Sequence, residues 1–515
     1  MIKNFLCLFL CTLLVACSSL PDNTTPPSTA LYQSDSSQLS VSVEEQRQKL
    51  GLASDETFMF LLETGVDSFV TRIALIEDAQ ESIDLQYYLF HSDLSGGLIV
   101  AALWQAAERG VRVRLLVDDI DLGGKDNSIE RLNAHPNFEV RVFNPFVRGE
   151  SRTIQYVTKL GKVTRRMHNK SFTVDGSVAI LGGRNLADEY FTASEEVSFG
   201  DMDVVFAGES VKEVQQAFDL FWNNSLSYNI ELLTDYRPQT SDLTALSASF
   251  DTFIKDNKKS QYVEAVNDDH FIELIKENEK VPYVGKTVVL YDDPRKIVSS
   301  RDKQEYNLAP KLHPYVTATK EELIIISPYF VPGKDGLELF QEIVDRGVKV
   351  KILTNSMMSN DVSLVHTGYS KYRKSLLEMG VELHEIDSQE LDELYELSNK
   401  KRPSNASKLS LHAKYYVMDR HLAFIGSFNL DPRSRNENTE IGILTKSEAL
   451  GRYLAQKFDD YIDTVAFKLT LEDGDIVWTK MKEGKAIRYT KDPYSSWWDR
   501  TKNNMAKILP MESQL

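Results

Sequence analysis

His168, Lys170, Asp175 and Asn185 recur, at identical spacing, as His412, Lys414, Asp419 and Asn429. Both copies read H-x-K-x(4)-D-x(6)-G-[GS]-x-N, with Gly182-Gly183 in the first and Gly426-Ser427 in the second. A lone H-x-K carries little information. Five fixed positions repeated in one chain define a unit. Each copy offers an imidazole, an ammonium and an amide, and two copies facing each other offer a pair of each. That set suits a phosphodiester. Lys170, Lys414, Asn185 and Asn429 can hold the non-bridging oxygens and stabilise transition-state charge. One imidazole can attack phosphorus while the other protonates the leaving oxygen, because imidazole titrates near ~6.5. The lysines supply the positive charge, so this chemistry requires no metal and no cofactor.

The residues between these positions predict how they are held. Lys170–Val174 and Lys414–Met418 are β-prone runs. On a strand, His and Lys two apart project from one face. Asp175-Gly176 and Asp419-Arg420 read as turns into the returning strands Val178–Leu181 and Leu422–Ile425. On this reading Asp175 and Asp419 pin turns, although they belong to the catalytic motif.

The duplicated His-Lys-Asp motif resembles that of the phospholipase D superfamily, over most of the chain after its N-terminal region. The resemblance implies a covalent phosphohistidine intermediate whose phosphatidyl group passes to water or to an alcohol. It also implies an acidic residue further along that orients a catalytic histidine. Glu440 fits that role in the second half and Asp201 in the first, with Asp203 the near alternative. Phe428–Ser434, Asn185–Phe191 and Ser327–Pro332 are most similar to the bacterial cardiolipin synthase branch, its type C enzymes in particular. The expected partner is therefore a phospholipid at a membrane surface, with phosphatidyl transfer as the reaction. Hydrolysis to phosphatidic acid and nuclease-type phosphodiester cleavage are the alternatives. The net charge of −17 argues against nucleic acid as a partner. Need for a protein partner is not legible.

The three cysteines, Cys7, Cys11 and Cys17, all lie near the N-terminus, which excludes disulfides and cysteine-based metal sites in the body. Residues 1–17 read as a lipoprotein signal peptide: Lys3, an apolar run too short to span a bilayer, then Leu14-Val15-Ala16-Cys17. The lipobox resemblance implies lipidation of Cys17. Ser18, in place of an aspartate, implies the outer membrane of the cell envelope, facing the periplasm. Residues 18–42 are rich in Ser, Thr and Pro and read as a disordered tether.

Two homologous halves follow, over residues 43–236 and 286–515, joined by a polar connection at 237–285. Ser82–Phe90, a helix ending at Arg109-Gly110, and Val111–Val117 are matched by Glu322–Phe330, a helix ending at Arg346-Gly347, and Val348–Thr354. Such alternation predicts an α/β fold in which each half is a mixed, mostly parallel sheet flanked by helices. The active site is expected at the pseudo-twofold interface. Basic residues precede both motifs (Arg148, Arg152, Lys159, Lys162, Arg165 and Arg166; Lys400, Lys401, Arg402 and Lys408) and would focus positive potential there. His91 and His366 follow strands, where α/β proteins place ligands, and are candidate pocket residues. Trp497-Trp498 could sit at a lipid interface or in packing.

Overall fold

A computed structural model of the chain describes residues 19–32, 36–159, 161–191, 198–260, 281–389, 409–482 and 484–507. The signal segment with Cys17 and the second basic cluster, Lys400 to Lys408, lie outside the described residues.

Eighteen strands form one continuous sheet that runs through both halves. In the first half Phe138–Phe143, Arg112–Asp118 and Ser82–Tyr87 are parallel neighbours. The motif hairpin, Ser171–Val174 and Val178–Gly182, then pairs antiparallel with Ser82–Tyr87, followed by Asp203–Gly208 and Glu56–Leu62. The second half repeats this order with Glu382–Ile386, Lys349–Asn355, Glu322–Ile326, Tyr415–Met418, Leu422–Gly426, Ile441–Lys446 and Tyr283–Tyr291. Glu56–Leu62 and Tyr283–Tyr291 pair antiparallel and weld the halves together. The α/β repeat is as expected. Within this sheet, however, parallel pairing is confined to three strands in each half, neighbours that follow one another in the chain through helical crossovers. The three-residue motif turns allow nothing but antiparallel return.

Those turns show why the motif aspartates are where they are. Asp175 (φ 48°), Asp419 (φ 50°) and Arg420 (φ 53°) take left-handed backbone, a conformation aspartate tolerates better than most residues. Each aspartate carboxylate accepts from three successive backbone N–H groups: Asp175 from Gln80, Glu81 and Ser82, and Asp419 from Lys320, Glu321 and Glu322. They lock the turn to the start of the neighbouring strand. This places them at the far end of the motif strands from His168 and His412, so their part is structural, not catalytic. Asp175→Ala should therefore cost about 2–4 kcal/mol of stability, by orphaning buried donors to a charged acceptor. Turnover per folded molecule should stay within a few-fold of wild type. Thermal unfolding and active-site titration read the two effects separately.

A core shared by both halves fills the interface. Met59, Leu181 and Phe206 from the first meet Ile324, Ile425 and Ile443 from the second. Residues 19–32 do not behave as a free tether. They lie against the first half, held by buried polar partners. Arg114 and Arg141 donate to the carbonyls of Ser28 and Pro26, Trp222 Nε1 donates to Ser28 Oγ at 2.8 Å, and Asp219 accepts from the Ala30 N–H. The chain then forms the helix Gln38–Leu50. Within the connection, the helix Thr240–Asp256 rests on the helix Leu94–Glu108, where Gly97 leaves room for the Phe253 ring. No helix among the described residues is long and apolar enough to cross a membrane.

Candidate active site

Each histidine sits just before a motif strand, on a backbone segment that crosses to the other half. His168 N–H donates to the Thr439 carbonyl (2.9 Å), and Thr439 N–H donates to Arg166 (3.0 Å). Leu409–Leu411 runs parallel to Ser198–Gly200, and the N–H groups of His412 and Ala413 both reach the Gly200 carbonyl. The residue after Thr439 is Glu440, and the residue after Gly200 is Asp201. Backbone pairing therefore delivers each half's acid to the other half's histidine. His168 Nδ1 lies 2.9 Å from Glu440 Oε2, and His412 Nδ1 lies 2.6 Å from Asp201 Oδ2.

The two alternatives for the first-half acid separate cleanly. Asp203 is spent elsewhere, accepting from Ser68 Oγ (2.7 Å) and Arg72 Nη2 (2.9 Å). The second small residue of each motif is shaped by these acids. A Cβ on Gly183 would stand 2.2 Å from Asp201 Oδ1, so only glycine fits there. At the equivalent position Ser427 instead donates its hydroxyl to Glu440 Oε2 (2.5 Å).

All the groups are nearly buried: His168 and His412 are 8% and 5% exposed, Lys170 and Lys414 at most 1%. Lys170 Nζ donates to the His168 carbonyl at 2.8 Å. Lys414 Nζ reaches the His412 carbonyl and also lies 2.8 Å from His412 Nδ1. A carboxylate cannot donate, and its contact with Nδ1 is the shorter one, so Nδ1 carries a proton directed at Asp201. Glu440 Oε2 already accepts from the Ser427 hydroxyl, so this oxygen acts as an acceptor and Nδ1–H of His168 faces it. In both rings Nε2 is the nitrogen left for chemistry.

Burial pushes the His168 imidazole well below its ordinary value, and Lys170, Lys414 and Arg433 push the same way. His412 is lowered to about 4 by burial and Lys414, against the pull of Asp201. Burial also lowers Lys170 well below its usual range and brings Lys414 to about 8, although Glu440 and Asp201 oppose the shift. The acids differ. Burial would raise Asp201, but His412 and Lys414 outweigh it and hold the carboxyl well below the carboxylate range. Burial wins at Glu440 and pushes it up to about 7, despite Lys170 and the Ser427 hydroxyl. An arriving anion would offset the crowded positive charge.

Asn429 is 3% exposed, with an Oδ1 that has no hydrogen-bond partner among the described residues. Asn185 Oδ1 accepts a long bond from Leu89 N–H (3.3 Å). Both stand at the ends of the returning strands, as their spacing predicts. Three residues join the site without having been singled out. Tyr88 stands edge-on to His168 (4.9 Å between ring centres) and Tyr190 edge-on to His412 (5.1 Å). Arg433 adds its field at His168. Tyr88 follows a strand and Tyr190 closes the short turn Asp188–Tyr190, places where tyrosine reads as packing, so only the fold exposes this role.

Other expectations change. Five of the six residues of the first basic cluster do not project free charge, because they are paired with carboxylates: Arg148 and Arg152 with Asp119, Lys159 with Glu150, Arg165 with Glu437, Arg166 with Asp118. His366 is buried against other partners: Arg373 Nη2 lies 3.1 Å from its Nε2 and Asp492 lies 3.7 Å away. Half-exposed His91 sits beside Asp93, Asp121 and Glu189 at 3.5–3.9 Å.

The family described as "Cardiolipin synthase, PLD-like domain" matches residues 73–222 and 313–462, one copy per half. The chain is 39% identical, over 456 residues, to cardiolipin synthase C of Escherichia coli (strain K12), covering 88% of this chain and 95% of that one. It is 32% identical over 469 residues to an uncharacterized protein of Helicobacter pylori (strain ATCC 700392 / 26695), covering 90% of each. Among solved structures it resembles the phosphatidylserine synthase of Haemophilus influenzae Rd KW20. That match has a TM-score of 0.53 at 15% identity and covers 83% of this chain and 92% of the other, a likeness of fold.

Proposed function

Because the chain belongs to the phospholipase D-like family of cardiolipin synthases, we propose that it moves phosphatidyl groups between lipid alcohols, with His168 as the covalent carrier. Neutral His168 Nε2 attacks phosphorus, and the P–O bond to the departing alcohol breaks. His412, made imidazolium once the bound phosphate anion offsets the positive charge of the lysines, gives that oxygen its Nε2 proton. Lys170 and Lys414 hold the non-bridging oxygens, and Asn185 and Asn429 complete the cradle. His412 then takes the proton from an incoming alcohol, whose oxygen forms the new P–O bond as the P–N bond to His168 breaks. With phosphatidylglycerol as both donor and acceptor, the products are cardiolipin and glycerol.

The observation that carries this reading is the crossed pair of histidine–carboxylate contacts, which fixes both Nδ1 atoms and leaves both Nε2 atoms free. The unlike acids support the assignment of roles. Strongly ionised Asp201 suits a histidine that must carry charge. Glu440, held near neutrality, suits one that must start neutral. Anchorage at the cell envelope through Cys17 belongs to the same proposal, supported by the lipobox-like Leu14–Cys17.

Lipid mass spectrometry tests it in two arms. The full chain is incubated with vesicles of phosphatidylglycerol and phosphatidylethanolamine, beside a His412→Ala control. Cardiolipin that forms only with the intact protein is the expected result. Phosphatidic acid without cardiolipin would make the protein a hydrolase. In the second arm Cys17→Ser should release the protein from the membrane fraction, and its retention there would argue against the anchor.

A further inference from the structure

Apolar side chains bracket the approach to the paired histidines. On the first half's side runs the helix Arg152–Thr158. Its Tyr156 ring meets Phe146 (5.4 Å between ring centres), and the Arg166 guanidinium, two residues before His168, lies over that Phe146 ring at 4.9 Å. The helix is thus tied to the segment that carries His168, yet its Ile154 and Val157 are 59% and 78% exposed. On the second half's side, Asp361 accepts from the Tyr329 hydroxyl (2.8 Å), and its charge is felt at Lys414 and Tyr190. Val362 and Leu364, which follow it at the start of the helix Ser363–Ser370, are exposed as well.

The helix Trp497–Ala506 packs along Ser363–Ser370, with Asn503 Nδ2 3.5 Å from Ser370 Oγ. Trp497 and Trp498 meet edge to face at 4.5 Å, and both are more than 60% exposed. Met505, about two turns along the same face, is exposed too. The other three tryptophans, Trp104, Trp222 and Trp478, are buried. Exposed apolar clusters of this kind mark interaction surfaces.

Charge selects the occupant. In a chain of net charge −17, the tryptophan helix carries Arg500 and Lys502 against Asp499 alone. Indole rings beside basic residues match the ester and phosphate layer of a bilayer. We propose that these three helices form one docking face that seats the mouth of the site on a phospholipid bilayer, so that substrate enters without leaving the lipid phase. This rests on the reading of the substrate as a phospholipid, but its first test does not depend on turnover.

Because the other tryptophans are buried, Trp497 and Trp498 should dominate the response of the emission to lipid. Vesicles of phosphatidylglycerol and phosphatidylethanolamine with brominated acyl chains should shift the emission of the full chain to the blue and quench it. Trp497→Phe/Trp498→Phe should abolish both effects. Absence of shift and quenching in the wild type overturns the proposal, whether or not the protein turns lipid over. In a second arm, Ile154→Ser/Val157→Ser/Trp497→Ser/Trp498→Ser should lower vesicle binding and vesicle turnover about 10-fold or more. Turnover of monomeric dibutyryl phosphatidylglycerol should stay within two-fold. Unchanged turnover on vesicles overturns the proposal. A variant that also fails on the monomer has lost its fold, and the quenching arm then decides.

Discussion

His168→Ala should abolish phosphatidyl transfer, with a loss of about 10,000-fold or more, as for other enzymes stripped of a covalent nucleophile. The reason is geometric. With Nδ1 committed to Glu440, His168 presents one nitrogen, Nε2, to phosphorus. His412→Ala should fail differently. A substrate whose leaving group is nitrophenolate needs no proton on departure, so the first step should survive. The second step then stalls for want of a base, and the phosphorylated enzyme should accumulate. Labelled lipid with a nitrophenyl leaving group, followed by peptide mapping, reads this directly. Label on His168 in His412→Ala, and none in His168→Ala, is the expected pattern. Label on His412, or turnover by His168→Ala within ten-fold of wild type, would reverse or remove the assignment.

The crossed acids give a second result that a same-half pairing would not. Asp201→Asn should behave as a lesion of His412, although 211 residues separate them and they belong to opposite halves. A loss of about 100- to 10,000-fold in kcat is expected, the range for general acid–base groups. Adding Asp201→Asn to His412→Ala should cost little more, because the carboxylate acts through that imidazole. The pH profile supplies a sign. Asp201 pulls the His412 imidazole upward against burial and Lys414. Removing its charge lowers the His412 value further, so the alkaline limb of the rate profile should move to lower pH. An alkaline limb that stays in place, or full multiplication of the two losses, would mean that Asp201 serves something other than His412.

The chemistry was legible because it is written twice in residue types at fixed spacing. His168, Lys170, His412 and Lys414 needed no fold to be found, and the strand periodicity that puts them on one face is local. The crossing was not legible. It depends on pairings such as Leu409–Leu411 with Ser198–Gly200, between segments far apart in sequence. Nor could composition place Tyr88 and Tyr190, since a tyrosine after a strand or in a short turn fits a core equally well. The Ser- and Thr-rich stretch before residue 36 misled for a related reason. Its side chains have little to bury, but its backbone carbonyls and one hydroxyl are taken up by Arg114, Arg141 and Trp222, which lie far along the chain. The basic residues ahead of His168 misled because their partners, Asp118, Asp119 and Glu437, are equally remote.

That N-terminal stretch has a mechanical consequence. Asn23 is fastened to the carbonyls of Ser225 and Ser227, and Tyr32 to Asp219 on the helix Ser210–Trp222. Bonds spread from Asn23 to Tyr32 share a load instead of failing one by one. A pull on residue 19 therefore reaches the body as torque as well as tension. A rope lets its cargo tumble, whereas a bracket sets its bearing. Whatever holds the chain upstream thus governs which way the catalytic face looks, and not only how far it can stray.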